Sequence, residues 1–127
     1  MIILDTHAWL WYYTKNVDKI STIAMQMIQT KRYGISIISC LEIALLVEKK
    51  RIQLQIPVMR WITQAVRHPD LTVINMTPEI LVASTQLTKF HRDPADRIIA
   101  ATCQQYDYPL ITKDKRIHNW GQITTIW

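Results

Sequence analysis

Glycine is scarce: Gly34 and Gly121 are the only two in 127 residues, so neither a G-x-G-x-x-G dinucleotide fingerprint nor a Walker A phosphate loop can be built. Nucleotide-cofactor chemistry of those two kinds is excluded. Cysteine is equally sparse. Cys40 and Cys103 each lie in an apolar run, as small buried side chains would, and a disulfide-stapled fold is not expected. Paired Cys and His spacings of the kind that hold structural zinc are missing. So is any Ser-His-Asp or Cys-His signal for a covalent nucleophile. No apolar run is long enough to cross a membrane, and Met1-Ile2-Ile3-Leu4-Asp5 has neither the basic flank nor the long apolar stretch of a signal peptide. The sequence therefore predicts a cytoplasmic protein with no membrane partner.

What remains is a chain of ordinary globular composition, 49% hydrophobic and 20% charged, with no repeat or long linker, which predicts one domain over residues 1–127. Fifteen Lys and Arg against ten Asp and Glu give a net charge of +5, which suits an anionic partner. Met1 to Leu4 reads as a buried strand ending in Asp5, with Thr6 positioned to cap a helix through Tyr13. A second helix is expected after Ser21, with Gly34 ending it or opening the next turn. Ile35, Ile37 and Ile38 read as a strand, with Ser39 as N-cap of a helix through Glu48. Further helices are expected from Pro57 to before Pro69, from Pro78 through Leu87 behind a Thr77 cap, and from Pro94 to about Tyr106 behind Asp93. Leu71 to Ile74, Leu110 to Thr112 and Thr124 to Trp127 read as strands. Strands alternating with helices predict an α/β fold with a mainly parallel central sheet flanked by helices on both faces. Its site should lie beyond the carboxyl ends of the strands, where Asp5 and the 112–114 segment converge.

Four of the ten acids occupy places where a solvated surface charge is not expected. Asp5 ends an apolar strand, Glu42 interrupts an apolar helix, Asp96 lies in the first turn of another, and Asp114 follows the Leu110 to Thr112 strand. Carboxylates gathered in a partly dry cleft repel one another unless a cation compensates them. An all-oxygen set suits Mg²⁺ or Mn²⁺, which leave positions open for phosphate oxygens and activate water for phosphodiester hydrolysis. Basic residues accompany these acids: Lys49, Lys50 and Arg51 after the Glu42 helix, Arg92 and Arg97 around Asp96, and Lys113, Lys115 and Arg116 around Asp114. They form a rim able to hold a polyanion through its phosphates while the acid centre holds metal.

The segments Ile3-Leu4-Asp5-Thr6-His7, Ser36-Ile37-Ile38-Ser39-Cys40-Leu41-Glu42-Ile43-Ala44, His91 through Thr102 and Leu110-Ile111-Thr112-Lys113-Asp114 together resemble the PIN-domain family, and most closely its VapC-like ribonuclease toxins of bacterial toxin–antitoxin pairs. They occur in family order and span nearly the whole chain. The resemblance implies a metal-dependent endoribonuclease, usually dimeric, restrained by a small antitoxin protein. It implies that Asp5, Glu42 and Asp96 hold Mg²⁺ or Mn²⁺, with Asp114 as a fourth acid. Thr6 and Thr112 match hydroxyl positions beside the site, and Asp93, Arg97 and Lys113 fall where a supporting or substrate-facing role is expected. Either Asp93 or Asp96 fits the third acid.

Plainer readings stand beside these. A first-turn carboxylate such as Asp96 stabilises a helix through its dipole, typically by about 0.3–1 kcal/mol, with or without metal. Asp93 suffices as a cap before Pro94, and Asp114 as a turn or capping residue. His7 and His91 adjoin motif acids and read first as surface or partly packed imidazoles, and Trp9, Trp11 and Trp61 as core or subunit contacts. The rival functional classes are an inactive PIN-like module that binds nucleic acid or protein without cutting, and a phosphate-binding regulatory domain.

Overall fold

The computed structural model describes residues 1–127 and arranges five strands in one all-parallel sheet. In chain order the elements are β1 (Ile2–Leu4), α1 (Thr6–Tyr13), a 3₁₀ turn (Val17–Lys19), α2 (Thr22–Thr30), β2 (Tyr33–Ser36), α3 (Ile38–Glu48), α4 (Val58–Ala65), β3 (Leu71–Ile74), α5 (Pro78–Thr85), α6 (Pro94–Tyr106), β4 (Leu110–Ile111), α7 (Lys115–Trp120) and β5 (Thr125–Ile126). The spatial order is β3-β2-β1-β4-β5. β1 is therefore central, and the chain winds outward from it in both directions. That reversal opens a crevice beyond the carboxyl ends of β1 and β4, where α/β sheets bind ligands.

Alternation along the strands divides the apolar side chains between two layers. Ile2, Leu4, Tyr33, Ile35 and Ile111 pack beneath α1, α2, α3 and α4, with Trp9, Ile28, Ile43 and Trp61. Ile3 and Leu110 face the other way, against Phe90, Ile99, Ala100, Cys103 and Ile117 of α6, α7 and the loop before α6. Both faces of the sheet are covered, which explains why the β1 segment reads as continuously apolar. No helix is long and apolar enough to cross a membrane.

Several local expectations hold. Ser21, Thr77 and Asp93 cap α2, α5 and α6, accepting from the amides of Ala24, Ile80 and Ala95. Others are corrected. The residue capping α1 is Asp5, not Thr6: its Oδ1 accepts from the Ala8 amide at 2.8 Å, and Thr6 is the first helical residue. Gly34 lies inside β2 instead of at a turn. A Cβ there would stand 3.1 Å from the Thr72 carbonyl oxygen of the neighbouring strand and 3.0 Å from Met1 Sδ. Ile37 and Ile38 have already left the strand. Ser39 sits buried within α3, which starts after Ile37 without a side-chain cap, and Ser36 accepts from the Ile38 amide at 3.4 Å. α7 was not expected from the sequence, although Asp114 as its N-cap and Gly121 in the left-handed conformation at its end are ordinary boundary signals.

Candidate metal centre

Glu42, Asp96 and Asp114 come together at the crevice, and Asp5 lies beside them, near enough to raise the pKa values of Glu42 and Asp96 but outside both groups of mutually close ligand atoms. Asp5 comes from the end of β1, where its backbone amide donates to the Ile111 carbonyl and continues the pairing of β1 with β4. Its carboxyl accepts from the Ala8 amide at 2.8 Å, with the Thr112 hydroxyl nearby, and the Thr112 oxygen accepts from the Asp114 amide at 3.1 Å. Thr112 is buried at the end of β4 and sets the turn that presents Asp114.

Glu42 lies one turn into α3 and is held by the Thr6 hydroxyl, which donates to Glu42 Oε1 and lies 3.0 Å from Ser39 Oγ. Thr6 and Ser39 are both fully buried, so this chain of hydroxyls fixes the Glu42 rotamer from beneath. Asp93 and Asp96 descend from the amino end of α6. Glu42, Asp93 and Asp96 each offer a carboxylate oxygen within 4.8 Å of the others, and His91, Asp96 and Asp114 form a second such group. Asp96 alone belongs to both. That separates the two acids left open by the sequence: Asp96 is the junction of the cluster, and Asp93 is an exposed cap at its edge.

The electrostatics follow from this crowding. Burial, with Asp93 and Glu42 next, pushes the Asp96 carboxyl up to about 8. Burial also raises Asp5 and Glu42 above the ordinary carboxylate range, partly offset by the hydrogen bonds from Thr112 and Thr6. Asp114 runs the other way: hydrogen bonds from Arg116 hold it low, through Nη2 at 2.7 Å and the Arg116 amide at 2.8 Å. The site therefore combines one compensated acid with three that lack a nearby cation of their own. A divalent ion fits such a donor set, since hard oxygen ligands of like charge are what Mg²⁺ and Mn²⁺ require.

Of the two basic residues singled out, one takes a place other than that expected. Arg97 is not free to meet a substrate. Its Nε donates to the Ser84 carbonyl, Nη1 to those of Phe90 and His91, and Nη2 to that of Leu87, all at 2.8–3.1 Å, so it ties the 84–91 turn to α6. Lys113 is exposed with Nζ 5.9 Å from the centre of the Trp11 ring, and remains on the rim. His91 was undervalued. Its ring is partly packed as expected, stacked on Phe90 with centroids 4.5 Å apart, yet Nε2 is directed into the acids, 3.3 Å from Asp96 Oδ2. The available sign was its short spacing from Asp93 and Asp96. Trp9 and Trp61 are core residues in edge contact, as expected.

The comparisons with known proteins agree with this geometry. The family model described as PIN domain matches residues 2–121. The chain is 34% identical over 130 aligned positions to Ribonuclease VapC22 of Mycobacterium tuberculosis, covering 99% of this chain and 98% of that one. Its fold is similar to a toxin–antitoxin complex chain from Klebsiella pneumoniae, with TM-score 0.68 at 20% identity, covering 100% of this chain and 97% of the other. It is also similar to a chain of VapBC2 from Rickettsia felis bound to a promoter DNA fragment, with TM-score 0.67 at 15% identity over 99% and 98% of the two chains.

Proposed function

The chain belongs to the PIN-domain family, and from that premise we propose that it is a metal-dependent endoribonuclease acting as the toxin of a toxin–antitoxin pair. The observation that carries this reading is the convergence of carboxylates from α3, α6 and the turn after β4, Asp96 lying within 4.8 Å of Glu42 on one side and of Asp114 on the other, with Asp5 near enough to raise the pKa values of Glu42 and Asp96. In the proposed site Asp5, Glu42, Asp96 and Asp114 hold Mg²⁺ or Mn²⁺. The bound ion supplies charge compensation and a more acidic water, the chemistry that phosphodiester hydrolysis needs.

The protein's own residues do the positioning. The Ala8 amide orients Asp5, Thr112 sets the turn that presents Asp114, Thr6 orients Glu42, and Arg116 holds the Asp114 carboxyl low. Exposed Lys113, Lys115 and Arg92 draw in the RNA backbone, a contribution that weakens with salt. The same reading assigns the protein to the cytoplasm with a cognate antitoxin as partner. Exposed Leu41 on α3 and Leu81 and Val82 on α5 support a homodimer, a state that light scattering measures directly.

Purified protein incubated with single-stranded RNA should cleave it internally with Mg²⁺ or Mn²⁺ and leave it intact in EDTA. RNA that is bound but never cut, with either metal, would overturn the reading in favour of an inactive binding module. Thr6→Val is expected to lower kcat/KM by about tenfold, the equivalent of one lost hydrogen bond, and to lower the melting temperature by several degrees, because buried Ser39 loses its hydroxyl partner. Steady-state cleavage alongside thermal melts checks both halves of that expectation.

A further inference from the structure

His91 Nε2 is the one buried side-chain nitrogen or oxygen that has no hydrogen-bond partner. A buried polar atom left in that state is costly, and the cost is offset only if a ligand satisfies it. The ring is not loose: it is stacked on Phe90, and its backbone carbonyl is fixed by Arg97. Its other nitrogen, Nδ1, accepts from the Asp93 amide at 3.4 Å. A ring nitrogen that accepts from a backbone N–H carries no proton, so the imidazole proton resides on Nε2. The atom aimed at the acids is therefore an N–H donor. Asp96 Oδ2 at 3.3 Å and Asp114 Oδ2 at 4.0 Å are near it, without hydrogen-bond geometry to either.

A donor with its lone pair already committed to a proton does not ligate a cation. It needs an acceptor oxygen that arrives from outside, beside acids that hold metal. We infer that His91 is a substrate-binding residue whose Nε2–H donates to an oxygen of the RNA phosphate being cut. This rests on the ribonuclease reading above. It assigns a role in the site to a residue other than the four acids, and it gives the acid-lined crevice a donor for the anion that the carboxylates would otherwise repel.

The test compares wild type with His91→Ala and His91→Gln, the second keeping an N–H donor on an uncharged side chain. Two quantities are read: kcat/KM on an RNA oligonucleotide with Mn²⁺, and Mn²⁺ affinity without RNA, from the free-ion paramagnetic resonance signal. His91→Ala should lose roughly 100-fold in kcat/KM, as removal of one donor to developing charge does. His91→Gln should recover most of that loss, and Mn²⁺ affinity should change less than about threefold in both, a margin under 0.7 kcal/mol. Loss of Mn²⁺ affinity in parallel with activity in both variants would make the ring a metal ligand and overturn the inference. Unchanged kcat/KM in His91→Ala would overturn it as well. Wild type that cuts no RNA would instead overturn the ribonuclease reading on which it rests. Thermal melts confirm that each variant is folded.

Discussion

Asp96→Asn should abolish RNA cleavage and at the same time make the metal-free protein more stable above neutral pH. The loss of activity is expected to reach about 10³-fold, because Asp96 lies within 4.8 Å of both Glu42 and Asp114 and its removal forfeits several kcal/mol of charge stabilisation at the reacting phosphate. The gain in stability follows from the same crowding. The folded state holds the Asp96 proton up to about pH 8, whereas the unfolded chain releases it near 3.8. Between those values the folded protein binds more protons than the unfolded one, so stability falls as pH rises through the window. Below about pH 4 the group imposes no penalty, and above about 8 the penalty is complete. With roughly 1.4 kcal/mol for each pH unit by which the group is displaced, the cost of ionising Asp96 is on the order of a few kcal/mol. Thermal unfolding in EDTA from pH 5 to 8.5 should show wild type losing stability with rising pH and Asp96→Asn following a flatter curve. Saturating Mn²⁺ should reverse the order, stabilising wild type more than the variant. Parallel pH profiles for the two proteins would remove Asp96 as the source of the slope.

The second large effect concerns folding. Arg97 satisfies the carbonyls of Ser84, Leu87, Phe90 and His91 with one guanidinium. Hydrogen bonds from a charged donor contribute about 1.5–3 kcal/mol each, less than additively when they share a donor. Arg97→Met should therefore destabilise by roughly 3–5 kcal/mol, a drop of about 10–20 °C in melting temperature for a chain of this size. Arg97→Lys should recover little, because an ammonium is a compact point charge without the planar fork that reaches four acceptors. Urea unfolding monitored by tryptophan fluorescence measures both variants. A loss under about 1 kcal/mol in Arg97→Met would mean that the 84–91 turn holds without its clamp.

The contrast between Arg97 and Asp93 marks what the amino-acid sequence made legible. Asp93-Pro94 announces a helix start through contacts two residues apart, and it was read correctly, as were Ser21, Thr77-Pro78 and the apolar run of β1. Arg97 reaches 13 residues back to Ser84, and nothing local distinguishes it from a basic residue on a rim. Ser39 failed for the same reason. Before a helix it resembles a cap, but its hydroxyl pairs with Thr6, 33 positions away, and the helix starts after Ile37 without a side-chain cap. The acids were recognisable because a carboxylate in an apolar setting is anomalous on its face. The donor among them was not, since the state of the His91 ring depends on the Asp93 amide and on stacking that only folding creates.

The central position of β1 has a consequence for how the protein is made. Asp5 is synthesised long before Ile111, yet its backbone amide donates to the Ile111 carbonyl, and the strand beside it begins at Leu110. A nascent chain still on the ribosome, or a product truncated before β4, can carry Asp5, Glu42 and Asp96 without the neighbour that locks the first of them in place. In such a polypeptide the crevice stays unassembled until β4 has been made and has paired with β1, an interval in which a restraining protein has time to arrive.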